Sequence, residues 1–227
     1  MHELHPLAEA LTRALIEIGP PAVTDWGPAP VQEKVDGDND LLDCVQRMPP
    51  PALVQRIWTN GPCLVATRSQ ARLPAFAEAC QACDLPVAVR RSAGTTVVHH
   101  SGTLQLSVGA IQRNLSIEAS YGLLTDLLLG ALSRLGIGAR RGPASGSYCD
   151  GRYNILVEDR KLAGTAAFSV VRGGQTTTIA HAVVAIAGDP REDIRRVVAF
   201  ESALGLRRAY QAEAHSSLEY SLGMCGR

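Results

Sequence analysis

The sequence predicts an α+β fold, with mixed, largely antiparallel sheets flanked by helices. Two observations carry that prediction. Short apolar segments of strand character recur along the chain and meet at tight turns, and amphipathic helical runs precede, interrupt and follow them. No internal repeat or low-complexity tract competes with this reading.

The elements follow in order. Residues 1–19 read as an amphipathic helix, because Leu4, Leu7, Leu11, Leu15 and Ile18 recur at helical spacing, and Gly19-Pro20-Pro21 stops it. Residues 20–37, rich in Pro and Gly, read as a linker or lid. A short helix is expected over 38–48, with Leu41, Leu42 and Val45 inward, ended by Pro49-Pro50-Pro51. ALVQRIWTN and PCLVATRS read as strands around the turn Asn60-Gly61-Pro62. LPAFAEACQACD is a helix with Phe76, Ala79 and Cys80 on its apolar face. LPVAVRRS leads into a strand, and TTVVHHSGTLQLSVGAI reads as a hairpin turning at Ser101-Gly102. SYGLLTDLLLGALSRLG is the strongest helix, stopped at Gly136. RYNILVEDRKLAGTAAFSVV gives two strands joined by Glu158-Asp159. TTTIAHAVVAIAG is a buried strand, and PREDIRRVVAFESALGL a helix with Pro190 in its first turn. The division this suggests is an N-terminal helix and linker over 1–37 and a main domain over 38–227.

Composition bounds the function. At 227 residues the chain fits one large domain, or one domain with a small appendage, that buries roughly 70% of its unfolded surface. Twenty-two basic side chains balance twenty-two acidic ones, so the net charge of zero argues against a general nucleic-acid or membrane-surface binder. No run approaches the roughly 20 apolar residues of a membrane span. The start, with Glu3, Glu9 and Glu17, lacks the pattern of a signal peptide, so a cytoplasmic protein is expected. Six cysteines, at 44, 63, 80, 83, 149 and 225, are expected to be mostly reduced thiols. Cys80 and Cys83 form one C-x2-C pair without a second, and the helical reading prevails over a zinc site, which needs four ligands.

The chemistry concentrates in GSYCDGRYNILVEDRKLAGTAA, residues 146–167. Cys149 stands among Gly, Ser and Asp and is expected on a loop; Lys161 opens a strand after a tight turn. A thiolate is nucleophilic and its thioesters are activated, and a nearby cation favours the thiolate. Lys161 could supply that charge or polarise a carbonyl oxygen. Gly164 would allow close approach of a ligand or backbone. Read alone, a loop cysteine is more often an inert small residue and a lysine after a turn more often a solvated charge.

Four stretches in order carry a resemblance. DNDLLDCV, VRRSAGTTVVHHSGTLQLSV, CDGRYNILVEDRKLAGTAA and TTIAHAVVAI together resemble the catalytic domain shared by lipoate-protein ligases, octanoyltransferases and biotin-protein ligases, over about residues 38–215. The context GSYCDGRY is most similar to the cysteine-dependent octanoyl (lipoyl) amidotransferases. The resemblance implies that fold, and a chemistry in which an octanoyl or lipoyl group is attached to one lysine of a lipoyl carrier domain. It makes Cys149 the acyl acceptor and Lys161 the contact for the acyl carbonyl. It implies no cofactor for transfer, and ATP with Mg for the alternative, an ATP-dependent ligase in which Cys149 is incidental. A third reading is a non-catalytic acyl- or carrier-binding relative.

The partners it implies are a lipoyl carrier domain (glycine cleavage H protein or a 2-oxoacid dehydrogenase subunit) and an acyl carrier protein as a possible donor, with a monomer expected. The candidate substrate-binding residues are Arg90, Arg91, Ser92, Gly94, Val97, Val98, His99, Gly102, Leu104, Tyr153, Ala163, Gly164 and Thr165. Of these, Val97, Val98, Leu104 and Ala163 are candidate walls of an apolar acyl slot, where each buried CH2 contributes roughly 0.8 kcal/mol. Arg90 and Arg91 are candidates for a phosphate, of a nucleotide or of a phosphopantetheine arm, or else an exposed pair. His99 is a candidate proton or hydrogen-bond partner, or else a structural histidine. The chain departs from the family where Ala93-Gly94-Thr95 replaces a run of glycines, which counts against a bound acyl-adenylate. The helix at Pro190 is followed by a tail too short for a separate domain, which favours transfer or a ligase relying on a partner chain.

Overall fold

The computed structural model describes residues 4–225. The first helix, α1 (Pro6–Ile18), starts at a proline in its first turn, and the ring of His5 accepts the Leu7 N–H. Its inward stripe, Leu11 and Leu15, is fully buried. The chain then forms an edge strand, β1 (Ala22–Asp25), and the helix α2 (Val31–Gln46).

Residues 20–37 are therefore not a loose linker, and a boundary at 37 falls inside α2. Gln55 explains why. Its Nε2 donates to the carbonyls of Leu15 (3.0 Å) and Pro20 (2.9 Å), tying the end of α1 to the sheet. Asp25 of β1 pairs with both Lys34 and Arg56.

Two sheets follow. β2 (Ala52–Trp58), β6 (Thr103–Arg113), β9 (Arg160–Arg172) and β10 (Gln175–Ala185) are the long strands of a seven-stranded sheet. Its order is β1-β2-β6-β10-β9-β8-β7, where β7 is Arg140–Gly142 and β8 is Asn154–Val157. A smaller sheet has β3 (Cys63–Thr67) between β4 (Val87–Arg90), which is parallel to it, and β5 (Val97–His99), which is antiparallel.

Two expected hairpins are thus not hairpins. β2 and β3 lie in different sheets, as do β5 and β6. The pattern of β3 gives the reason: all five residues are buried, as in a strand covered on both faces. At the second corner, the Gly102 carbonyl accepts the Ile186 and Ala187 N–H groups, which directs β6 to β10. The third expectation holds: β8 and β9 pair across Glu158 and Asp159, both with positive φ, as a two-residue turn of this hand requires.

Helices cover the faces. α1 and α4 (Ile117–Arg134) pack on one face of the large sheet, burying Leu124, Leu128 and Leu132 with Leu104, Leu106 and Val108. On the other face α2 sets Leu41, Leu42 and Val45 against Val54, Ile111 and Ile179. α3 (Phe76–Ala82) and α5 (Pro190–Ala203) cover the outer face of the small sheet, where Ala79, Val197 and Phe200 meet Leu64, Ala66 and Val98. The last helix is α6 (Leu218–Cys225). Between the inner faces of the two sheets lies a fourth apolar cluster: Val35, Trp58, Cys63, Val65, Ala88 and Val97, with Tyr148, Cys149 and Val183 against it. Among the described residues no helix is long and apolar enough to cross a membrane. The side chain of Cys225 lies outside the described ones.

Candidate active site

The cleft between the sheets is where Cys149 and Lys161 meet. Cys149 lies on the loop between β7 and β8 with φ +49°, a left-handed conformation that a non-glycine residue adopts at a cost of order 1–3 kcal/mol. Two further interactions fix that loop. Asp150 accepts the Ala144 N–H at 2.7 Å and the Asn154 amide at 2.9 Å. Lys161, at the head of β9, donates Nζ to the carbonyls of Tyr148 (2.5 Å) and Cys149 (2.9 Å). The lysine is buried, and a Cβ at Gly164 would come within about 3.0 Å of its Cε, so the glycine leaves room for the side chain. Cysteine and lysine thus belong to one site, joined through the backbone of the thiol's own loop.

A second loop, residues 91–96, faces the sulfur. The Thr95 N–H points at Cys149 Sγ from 3.4 Å. Arg90 at the end of β4 approaches the same sulfur with Nη2 at 3.7 Å and is itself fixed by the carbonyls of Val65, Ala93 and Thr95. Gly94 has φ +110°, and a Cβ there would sit 2.8 Å from Sγ and 2.9 Å from Nη2. One glycine of a glycine-poor loop is therefore where it is needed.

The charges decide reactivity. Burial pushes the Cys149 thiol up, but Arg90, Lys161 and the Thr95 N–H outweigh it and leave the pKa below that of an ordinary cysteine. Burial brings Lys161 down to about 8, against the opposing pull of Cys149 and Asp150. Burial and the nearby Arg90 hold His99 neutral, with a pKa of about 3. The neighbouring Cys63 shows the contrast: buried without a cation, its thiol is pushed up to about 12. Of two thiols beside one cleft, only Cys149 is activated.

On β5 the sequence candidates separate by strand parity, since successive strand residues face opposite sides, whereas on β9 the consecutive Gly164 and Thr165 both reach the cleft. Arg90, Val97, His99, Gly164 and Thr165 border the cleft with Cys149 and Lys161. Val98 faces the α3/α5 core, and Leu104 and Ala163 lie in the core under α1 and α4. Gly102 packs against the Ala187 carbonyl and shapes the corner. Tyr153 stacks on Tyr121 with centroids 4.4 Å apart, and Arg91 lies over the ring of Phe168. Arg90 is buried, so the two arginines are not an exposed pair. Ser92 is buried behind the loop, bonded to His181.

Sequence reasoning missed several cleft residues. Trp58, Thr103, Gln105 and Val183 border it, as do Asp38, His181 and His215. Asp38 lies within the acidic run of α2 and His215 in an irregular stretch, whereas His181, a histidine in the apolar strand TTTIAHAVVAI, is a signal that could have been read. His215 stacks on Tyr148 at 4.6 Å, is neutral with a pKa lowered to about 3 by burial and Lys161, and its Nε2 has no hydrogen-bond partner among the described residues. It stands where this cleft meets a second one, lined by Arg160, Asp189, Asp193, Glu213 and Tyr220. Cys80 lies in α3 and Cys83 follows it. Among the described residues no group of three or more His, Cys, Asp or Glu converges as a metal site would.

Residues 32–215 match the family model of the lipoyl protein ligase A/B catalytic domain. The chain belongs to that family. It is 34% identical over 148 residues to an octanoyl-[GcvH]:protein N-octanoyltransferase of Kyrpidia tusciae, which covers 63% of this chain and 51% of that protein. The chain thus spans about half the length of that curated relative. An uncharacterized protein of Cupriavidus necator is 31% identical over 196 residues, covering 77% of this chain and 76% of the relative. The fold is also that of a lipoate-protein ligase A solved with ATP, with a TM-score of 0.66 at 15% identity, over 90% of this chain and 81% of the ligase. In this lipoyl ligase A/B domain the α+β architecture expected from sequence, largely antiparallel sheets flanked by helices, is the one observed.

Proposed function

We propose that this chain is an acyltransferase that moves an octanoyl or lipoyl group, through a thioester on Cys149, onto a lysine of a lipoyl carrier domain. The observation that carries the reading is the convergence of the Thr95 N–H (3.4 Å) and the Arg90 guanidinium (3.7 Å) on one sulfur, whose loop is held by Lys161. The names of the Kyrpidia relative and of others at 28–30% identity favour an octanoylated glycine cleavage H-type carrier as donor. An acyl carrier protein is the other donor to test.

The steps follow. The Cys149 thiolate adds to the acyl carbonyl carbon. The bond to the donor sulfur or nitrogen breaks, and the donor leaves as a thiolate or, taking a proton from solvent, as an amine. The acceptor lysine, as free amine, adds to the thioester, loses a proton, and the C–S bond breaks to restore the thiolate. Lys161 presents an N–H to the carbonyl oxygen as charge develops there, an effect typically of order 10²–10³ in rate. His215, neutral and with a free Nε2 between the two clefts, accepts a hydrogen bond from the incoming amine. Val65, Val97 and Val183 line the acyl slot, where an eight-carbon tail contributes about 5 kcal/mol. No nucleotide is required, because the acyl group arrives bonded to its donor.

Intact-protein mass spectrometry tests this. The chain is mixed, without ATP, with octanoylated H protein or octanoyl-acyl carrier protein. The expected result is an octanoyl adduct on the chain that hydroxylamine removes and Cys149→Ala abolishes. Modification of a carrier domain only with free lipoate and ATP would replace transfer with ligation, and carrier binding without any modification would leave a binding protein.

A further inference from the structure

The loop that faces Cys149 is pinned at both ends. At the far end, the Thr96 N–H donates to Glu201 Oε1 of α5 (3.2 Å), and Thr96 Oγ1 accepts from Gln70 Nε2 (2.8 Å). At the near end stands a chain of three residues from three elements. Ser92 Oγ lies 2.8 Å from His181 Nε2, on the central strand β10. His181 Nδ1 lies 2.6 Å from Asp38 Oδ2, on α2. Asp38 is fixed in turn: its Oδ1 accepts from Ser107 Oγ (2.6 Å) and from Arg56 Nη1 (3.4 Å). Arg56 reaches on to the Lys34 carbonyl at 2.9 Å. Asp38 is buried, yet His181, Ser107 and Arg56 overcome burial and keep it ionised. A carboxylate this close accepts the Nδ1–H of the ring, which leaves Nε2 to share a hydrogen bond with the Ser92 hydroxyl.

Ser92, His181 and Asp38 share the connectivity of a hydrolytic triad. They lack its access: Ser92 is 1% exposed and does not border the cleft. What the serine hydroxyl can do is hold its own backbone. Three residues on, Thr95 delivers the sulfur's N–H donor, and the carbonyls of Ala93 and Thr95 hold Arg90.

We propose that Asp38, His181 and Ser92 form a positioning relay that holds the 91–96 loop against Cys149 and thereby sets the reactivity of its thiol. The proposal deepens the acyltransferase reading and rests on Cys149 being its reactive group. The groups facing Cys149 are Arg90 from β4, Lys161 from β9 (itself near Asp150), Tyr121 from α4, and Tyr148 and Arg208. Those facing His181 are Asp38 from α2 and His99 from β5, and a small separate pocket beside it also brings in Asp36 from α2, Arg68 that follows β3, Arg90 from β4 and Arg91 after it. The relay adds no charge next to the sulfur; it fixes where Arg90 and the Thr95 N–H stand.

The test is the pH profile of iodoacetamide alkylation of the full chain, read at Cys149 by peptide mapping with the exposed Cys44 as internal reference. Ser92→Ala removes the hydroxyl. His181→Asn places an amide nitrogen near the Nδ1 position, keeping the Asp38 contact and losing Ser92, so it carries the test if Ser92→Ala does not fold. Each is expected to raise the Cys149 midpoint by about one pH unit and to slow its alkylation at neutral pH roughly tenfold. Cys44 should be unaffected, and the double variant no slower than either single one, as members of one relay require. Variants that melt earlier but keep the wild-type midpoint would reduce the relay to fold stability and overturn the proposal. The assay uses no acyl donor, so it is read independently of whether acyl transfer is found.

Discussion

Gly94→Ala is the sharpest local perturbation of this site. A Cβ at residue 94 would lie 2.8 Å from Cys149 Sγ and 2.9 Å from Arg90 Nη2, where a comfortable contact needs roughly 3.5–4.0 Å. Something must move by about 0.7–1.2 Å. The backbone resists, because φ +110° at this position is itself strained for alanine, by about 1–3 kcal/mol. At roughly 2–4 °C per kcal/mol for a chain of this length, Tm falls by about 2–12 °C. The larger consequence is chemical. Withdrawing the sulfur by the lower figure lengthens its 3.4 Å contact with the Thr95 N–H to as much as about 4.1 Å, the edge of hydrogen-bond reach, and the guanidinium must withdraw too. With the donor and part of the cationic stabilisation lost, burial dominates and the thiol pKa rises. Alkylation of Cys149 at neutral pH is expected to slow about tenfold, with acyl-adduct formation falling at least as much. The paired assays are a thermal melt and a timed iodoacetamide reaction. Wild-type alkylation by an alanine variant of normal Tm would refute the reasoning, since it would show a loop with enough slack that its contacts do not set the sulfur's reactivity.

Other predictions follow from the same geometry. Val97→Phe should fill the slot and shift acyl-chain preference below eight carbons, read by adduct mass with a donor series, whereas Val98→Ala should cost about 1–2 kcal/mol in a denaturant melt and leave chain preference unchanged. Deleting residues 1–37 should give an aggregating or molten chain by near-UV dichroism, because it removes Leu11, Leu15, Asp25 and Lys34; a folded, active truncation would restore the linker reading. Acyl-enzyme formation should decline as pH rises through about 8, where buried Lys161 loses its charge, after rising at lower pH as Cys149 ionises. A formation rate that climbs without a break well past that pH would remove the lysine ammonium from the mechanism.

Much of the fold was legible because its signals are local. The β8–β9 turn announces itself through Glu158-Asp159, α4 through its apolar run, and α5 through Asp189-Pro190. Strand partners were not legible, since they are settled by non-local burial. The motif TNGPC looks like a hairpin turn, but the strand after it is buried on both faces and is claimed by β4 and β5. β1 and the first turns of α2 were hidden by the prolines around them, and what holds this segment is distant in sequence: the pairing of β1 with β2 and the side chains of Gln55 and Arg56, 20 to 40 residues away. At the site, Cys149 and Lys161 could be picked by chemistry and spacing. Which neighbours share their cleft depended on strand phase, and one residue of phase separates Val97 from Val98. His181 stood out only as a histidine within an apolar strand, and Asp38 and His215 gave no pattern, because a polar group that works by meeting two others in space leaves no periodicity in sequence.

The link between Cys149 and Lys161 also changes how loss of the lysine must be read. An ammonium has three N–H donors. Two of them already hold the carbonyls of Tyr148 and Cys149. One remains for an acyl oxygen, and it exists only in the charged form. A neutral amine keeps two N–H groups, enough for the loop and none for the substrate. The pKa of about 8 therefore places the site near the point where the third donor is lost, and the cost of burying the charge is the cost of having that donor. Truncating Lys161 removes both functions at once: it frees two carbonyls of a loop held in a left-handed conformation, and it removes the charge that helps ionise the thiol. A Lys161→Ala variant that fails to form adduct thus does not by itself identify the oxyanion contact. Measuring its Cys149 alkylation beside its acylation separates the two. If alkylation falls as far as acylation, the lysine acts chiefly by placing and ionising the thiol; if acylation falls by a further factor of order 10², the third N–H is the group that meets the substrate.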